Sequence, residues 1–377
     1  MLSDELTIPF IHWQEGEQAY SAIWRSENHA KPPAKVVIAD DAMKADVAYR
    51  MACEGTALLW RGDFQNARQL LQAIVRRIDR KPAKTSSNPA EAFHLNRQAQ
   101  SQRSRVLGML LVTLEADYSI KLRRAPDTQQ ACIQAYGDAR GVSVVSLREL
   151  QGVIGAYEWR KKGVEVPALE ARIHPHYGVF SPVRGEYVDL VAEAPLPSQA
   201  LAFDIGTGSG VLAALLAKRG VKQVIATDQD DRSLACARDN IRNLRLGQQV
   251  EIIKADLFPV GRAPLIVCNP PWLPARPNAA IEYAIYDPDS IMLKGFLSGL
   301  VEHLEPEGEG WLIMSDIAEH LGLRTRDTLL ELIAAAGLQV VDKADIKPRH
   351  ARASDSNDPL HTARAAEVTS LWRLKAA

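Results

Sequence analysis

The 377-residue sequence has little of almost every feature that would place it in a special class. Its charges nearly cancel, 45 Lys and Arg against 46 Asp and Glu, so the chain as a whole carries no field that would gather polyanions. A local basic face is still compatible with that balance. Only four cysteines occur, Cys53, Cys132, Cys236 and Cys268, far apart and without a CxxC pair. That argues against a zinc framework or a disulfide scaffold and for a reducing cytoplasm. No apolar run approaches the ~18 residues of a membrane-spanning helix. The opening stretch MLSDELTIPFIHW has acids where a secretory leader has its basic region. A soluble cytoplasmic protein with no membrane partner is therefore expected. His174 and His176 form an HxH pair with no third ligand nearby, so no metal is expected either. Neither an internal repeat nor a low-complexity tract is present.

What is present divides along the chain, whose length suggests two domains. Residues 1–80 read as a small mixed unit, with a strand at Val36–Ala39 and amphipathic helices over 41–55 and 66–78. In the second of these, Leu70, Leu71, Ile74, Val75 and Ile78 share one face. Residues 81–92 hold two prolines and a Ser-Ser-Asn cluster, a linker composition. Residues 93–172 read as mainly helical and locally basic, through Arg97, Arg103, Arg105, Lys121, Arg123, Arg124, Arg160, Lys161 and Lys162. They form a possible substrate-docking surface for nucleic acid or an acidic protein. The interleaved acids make an ordinary solvated helix face the competing reading.

From residue 173 to 377 the pattern becomes short apolar runs alternating with amphipathic stretches. LAFDI, QVIATD, VEIIKAD, PLIVCN and GWLIMSD are buried-strand-like, with helices between the first three ending near Gly220 and Gly247. That rhythm predicts an α/β domain with a parallel sheet covered on both faces. Its predicted loops at the carboxyl ends of the strands carry the chemistry. FDIGTGSG (Phe203–Gly210) is a glycine-rich turn that lets a ligand approach bare backbone. GSGVLA also fits the dinucleotide pattern GxGxxG/A, with Asp228 about 20 residues on. A nicotinamide oxidoreductase is therefore a live alternative. Asp228 and Asp256 each close an apolar run, as acceptors for ribose hydroxyls and an adenine amine would.

NPPW (Asn269–Trp272) follows the run PLIVC. Consecutive prolines hold φ and remove two backbone donors, leaving carbonyls free to accept. The Asn269 side-chain oxygen and the Pro270 carbonyl then make two acceptors on a rigid frame, suited to an –NH2 group conjugated to a carbonyl or a ring. Trp272 can stack on the planar group that bears it.

DIGTGSG, ATD, ADLF and NPPW, in this order and spacing, resemble the class I S-adenosylmethionine-dependent methyltransferases of the small-domain group. These include the release-factor glutamine methyltransferases and the ribosomal RNA guanine and adenine amino-group methyltransferases. The resemblance covers roughly residues 175–375. It implies a Rossmann-like seven-stranded methyltransferase sheet with its last strand antiparallel, preceded by an α-rich (α+β) amino-terminal domain. It further implies that Asp204, Gly206, Thr207, Gly208 and Gly210 hold the methionine end of S-adenosyl-L-methionine, Asp228 the ribose, and Asp256 with Leu257 the adenine. Asn269, Pro270 and Trp272 would do the catalytic work on the target amine, with Asn269 also beside the cofactor. Tyr177, Phe180 and Pro271 would line the substrate pocket. A macromolecular substrate, protein or RNA/DNA, follows as the expected partner. This sequence departs from the group in having Trp272 where the glutamine enzymes usually show tyrosine and the guanine enzymes phenylalanine. Its 347–367 loop is also longer and more charged.

Overall fold

The computed structural model describes residues 8–81, 84, 86–182, 185–277, 280–349, 355 and 358–377. Two compact units emerge. One runs through Lys84 and resumes over His94–Glu158; the other takes Thr85–Phe93 and Trp159–Ala377.

In the first unit β1 (Phe10–Glu15) and β2 (Gln18–Arg25) form a hairpin, followed by β3 (Lys35–Ala39), α1 (Ala45–Cys53), β4 (Thr56–Trp60) and α2 (Phe64–Asp79). Then come α3 (Pro89–Leu107), β5 (Leu110–Leu114), α4 (Gln129–Tyr136), β6 (Ser143–Ser146) and α5 (Leu147–Lys162), of which α3 and α5 are each shared in sequence with the second unit. The six strands make one sheet in the order β1-β2-β6-β5-β4-β3. This differs from a reading that separates 1–80 from a mainly helical 93–172. β5 and β6 sit between β2 and β4, so the sheet cannot be divided at the 81–92 stretch. The physical reason is burial: all five residues of β4, TALLW, are buried and need a neighbour on each edge. Several cations of the basic stretch already face carboxylates. Arg123 and Arg124 both donate to Asp63 at 2.8 Å, Lys121 meets Glu115 at 2.7 Å, and Arg103 pairs with Asp79.

The second unit begins with the small hairpin β7 (Val164–Val166) and β8 (Ala171–Ile173), then α6 (Glu186–Glu193). There follow β9 (Leu201–Ile205), α7 (Val211–Lys218), β10 (Gln223–Asp228), α8 (Asp231–Asn243), β11 (Val250–Lys254) and β12 (Ala263–Cys268). It closes with α9 (Ile291–His303), β13 (Leu304–Ser315), α10 (Ile317–His320), α11 (Arg326–Ala335), β14 (Leu338–Ile346), α12 (His361–Ala366) and β15 (Thr369–Ala376). The seven long strands order as β11-β10-β9-β12-β13-β15-β14, parallel from β11 to β13, with β15 antiparallel to both neighbours. This is the seven-stranded α/β sheet expected.

Successive side chains on each strand point to opposite faces, and both faces are apolar. Ala202, Leu265, Trp311 and Leu371 join the core under α6 and α7, while Phe203, Ile266, Leu312 and Trp372 join the core under α9 and α11. Sandwiched between layers, the strands can be apolar throughout, which is why they are legible as continuous runs. No helix among the described residues is long and apolar enough to cross a membrane.

Candidate active site

The sheet has one place where its winding reverses. From β9 the chain proceeds outward to β10 and β11; from β12 it proceeds the other way to β13. β9 and β12 lie side by side, with Ile205 opposite Cys268 at their carboxyl ends. The glycine loop and the NPPW loop therefore leave adjacent strands at the same level. A crevice outside a switch point of this kind is where open α/β sheets bind ligands.

The glycine loop is built around Asp204. Its carboxylate is 1% exposed, and Oδ2 accepts from the Thr207 hydroxyl at 2.6 Å and the Ala213 amide at 3.0 Å. Burial pushes its pKa up to about 6 against those two bonds. Both contacts lie within the loop and the start of α7, so Asp204 braces the loop from beneath. The Thr207 amide donates to the Thr227 carbonyl at 2.8 Å, tying the loop to β10. Gly206, Gly208 and Gly210 all take positive φ, at 70°, 54° and 81°. A Cβ on Gly206 would meet Met292 Cε at 2.5 Å, whereas one on Gly208 would meet nothing within 4 Å. Gly208 thus offers bare backbone to open space.

Asp228, the last residue of β10, reaches across to this loop. Its Oδ2 accepts from the Gly208 amide and its Oδ1 from the Asp230 amide, both at 3.0 Å. Burial raises its pKa above the ordinary value, opposed by these amides. Asp230 in turn caps α8 by accepting from the Ser233 amide at 2.8 Å. Beyond β11, Asp256 is exposed and Leu257 takes φ of 65°, an uncommon value for a branched residue. The Leu257 carbonyl accepts from Thr227 Oγ1 at 2.5 Å, so the turn is anchored to the neighbouring strand.

Asn240 was not singled out from the sequence and proves central. It is 1% exposed on α8; its Oδ1 accepts from the His174 amide at 2.8 Å, and its Nδ2 donates to the Ser209 carbonyl at 3.0 Å. One amide side chain thereby links the glycine loop to the 174–180 segment. The signal available was an asparagine on the apolar face that Leu234, Ala237 and Ile241 define.

His174 and His176 both tie that segment to its neighbours. His174 Nδ1 lies 2.7 Å from the Arg160 carbonyl, and His176 Nε2 lies 3.0 Å from Asp239 Oδ2, which Arg160 also contacts at 2.9 Å. Among the described residues no group of three or more His, Cys, Asp or Glu could hold a metal ion. Burial, reinforced by Arg160, lowers the His176 pKa below its ordinary 6.5 despite Asp239. The folded protein therefore holds this ring neutral where the unfolded chain would protonate it. Its contribution to stability is complete above the unfolded value and is lost as pH falls through it toward the folded value. Thermal melts from pH 7.5 to 5 should show Tm falling more steeply for the wild type than for His176→Phe. Parallel curves would refute the assignment. Tyr177 lies beside Arg232 of α8, ring centroid 6.0 Å from the guanidinium carbon, and Phe180 packs on the core that also receives Trp272.

On the other side of the crevice Pro270 is buried, while Asn269, Pro271 and Trp272 are half-buried. Trp272 Nε1 donates to Asn269 Oδ1 at 3.0 Å. The chain then runs to Leu273, which pairs with Tyr286, and Asp287 closes the excursion. Asp287 Oδ1 and Oδ2 accept from the Met292 and Leu293 amides at 3.0 Å, and its own amide donates to the Leu273 carbonyl at 2.8 Å. The loop after NPPW is therefore pinned at both ends.

Residues 170–326 match the methyltransferase small domain family. The second unit is a class I S-adenosylmethionine-dependent methyltransferase domain. It is related to the release-factor glutamine and the RNA methyltransferases. The chain is 39% identical over 90 residues to the release factor glutamine methyltransferase of Shewanella oneidensis, 23% of this chain and 31% of that one. It is 24% identical over 174 residues to a tRNA1(Val) (adenine(37)-N6)-methyltransferase of a Shewanella species, 44% of this chain and 70% of that one. Among solved structures it is similar to a ribosomal protein L11 methylase from Lactobacillus delbrueckii subsp. bulgaricus. There the TM-score is 0.36 at 21% identity, covering 55% of this chain and 86% of that one. The chain spans about a third of the first of these relatives.

The methyltransferase domain suits an adenosine-bearing sulfonium cofactor. Gly208 leaves open backbone, and Asp228 keeps lone pairs beyond those used by the Gly208 and Asp230 amides. The exposed Asp256 beside the strained Leu257 turn offers an acceptor beyond the next strand.

Proposed function

We propose that the protein is an S-adenosylmethionine-dependent N-methyltransferase acting on a planar amide or exocyclic amine nitrogen of a macromolecule. The observation that carries this reading is the placement of Asn269 and Pro270 directly beside the glycine loop, at the level of the Ile205–Cys268 pair. When bound, the cofactor supplies an electrophilic methyl group on a sulfonium that is its own leaving group. The chain's residues are left with positioning. Asn269 Oδ1 and the Pro270 carbonyl accept the two hydrogens of the target amine, which turns the nitrogen lone pair toward the glycine loop. The amine loses its proton after alkylation, so no general base is required in the motif.

Support for an amide or amine target comes from the motif itself and from relatives named for glutamine and adenine-N6 methylation. Protein glutamine and a base in RNA or DNA are both consistent with it. In this reading the second unit performs the chemistry and the first unit presents the substrate. All four thiols are free, as a reducing cytoplasm would keep them. A nicotinamide oxidoreductase would use the glycine loop but leaves NPPW without a task. Calorimetry should detect S-adenosylmethionine and not NAD.

The acceptor is reached by incubating the protein with methyl-tritiated S-adenosylmethionine and bacterial extract, then digesting separately with nuclease and protease. Label should enter one macromolecular class and be released by the matching digestion. No incorporation into either class would overturn the proposal.

A further inference from the structure

Trp272 stands where related motifs carry other aromatics, and its ring nitrogen is not idle. We propose that Trp272 is a positioning residue that sets the orientation of the Asn269 side-chain amide through its indole N–H. This rests on the methyl-transfer reading above and adds what holds its acceptor group in place. The indole nitrogen is a donor with no acceptor capacity, so the atom it meets at 3.0 Å must be Oδ1 and not Nδ2. An amide flip would set two donors against each other. The ring itself has little freedom, because it packs against three apolar clusters that meet at this loop. Two prolines between the partners hold φ at both intervening positions. The bond is therefore preformed rather than made on substrate binding.

The consequence falls on acceptor geometry. Oδ1 has two lone-pair directions; the indole takes one and leaves one for the substrate, with Nδ2 turned away. Phenylalanine has no donor to impose this, and a tyrosine hydroxyl can donate or accept and so would not dictate the amide's sense. A ring of the same shape without the N–H would keep the stacking surface and lose only the orientation.

That separation is testable with 3-benzothienylalanine introduced at position 272, in which sulfur replaces the indole N–H. Two readouts are used. The first is the initial rate of tritium transfer from saturating labelled S-adenosylmethionine into bacterial extract, expected to fall about five- to tenfold. S-adenosylmethionine affinity measured by calorimetry should stay within about twofold. The second, independent of activity, is the Asn269 side-chain NH2 resonance pair, identified by its loss in Asn269→Asp and expected to shift or broaden in the variant. Trp272→Phe should reproduce both changes. Unaltered amide resonances together with an unaltered rate would overturn the proposal. Should the wild type transfer no label, the methyl-transfer reading fails, while the amide resonances still decide whether Trp272 orients Asn269.

Discussion

Asn269→Ala should reduce methyl transfer by about 10²–10³-fold or more, the scale seen when one preorganised polar group at a reacting centre is removed. S-adenosylmethionine affinity should change by less than about threefold. The asymmetry follows from what Asn269 touches. Its side-chain hydrogen bond runs to Trp272, forward along its own loop, and not to the glycine loop or to Asp228. Truncation leaves Pro270, Pro271 and the strand pairing of β12 with β9 intact, so the donor side should keep its shape. What is lost is an acceptor for one hydrogen of the target amine, and with it the aim of the nitrogen lone pair. Burial does not compensate, because alanine leaves the indole N–H to find water. Rates measured on the labelled product, paired with calorimetry on the same preparation, check both halves. Wild-type turnover in Asn269→Ala would remove Asn269 from the site.

The methyltransferase unit was far more legible in the sequence than the unit before it, and the reason is layering. Strands covered on both faces are written as unbroken apolar runs, and LAFDI, PLIVC and GWLIMS need no alternation to be recognised. The first unit is written differently. In RVLGMLLVTLEADY a helix end and a strand share one apolar run; α3 stops at Leu107 and β5 begins at Leu110, yet the composition reads as a single helix. Short apolar runs do not distinguish the two periods. β1 did carry a usable signal, since Ile11 and Trp13 are buried between exposed Phe10 and His12, and Gly16 with φ of 62° makes the turn into β2. Pairings such as β2 with β6 bring together residues more than a hundred positions apart, and nothing local encodes them.

Within the site, loop positions were readable and division of labour was not. Glycine and proline announce themselves because their backbones are unusual. Asp204 and Asn240 look like ordinary polar residues until the partners of each oxygen and nitrogen are known. Asp204 spends Oδ2 inside the loop, and Asn240 joins two segments from a buried position on α8. These residues act by holding others in place, which is the usual requirement for a site whose chemistry is mostly orientation.

Asp228→Ala should cost more in cofactor binding than any other single change here, weakening S-adenosylmethionine affinity about 10²- to 10⁴-fold. Two contributions converge. The carboxylate receives the Gly208 amide on Oδ2 and the Asp230 amide on Oδ1, and a carboxylate has further lone pairs on both oxygens. A ribose diol would meet both, and hydrogen bonds to a charged acceptor are worth about 1.5–3 kcal/mol apiece. Removing the carboxylate also releases the Gly208 amide, so the loop that shapes the donor pocket loses one tie across to β10 and keeps that of the Thr207 amide to the Thr227 carbonyl. Asp228→Asn separates the two contributions. It keeps one oxygen and sets an NH2 against one of the two amides, so it should weaken binding by an intermediate factor. Because burial holds the Asp228 pKa above the ordinary carboxylate value, affinity in the wild type should decline as pH is lowered through that raised value, and this pH dependence should vanish in Asp228→Asn. Calorimetric titrations across pH for the three proteins test this together. Equal affinity in wild type and Asp228→Ala would place the ribose elsewhere.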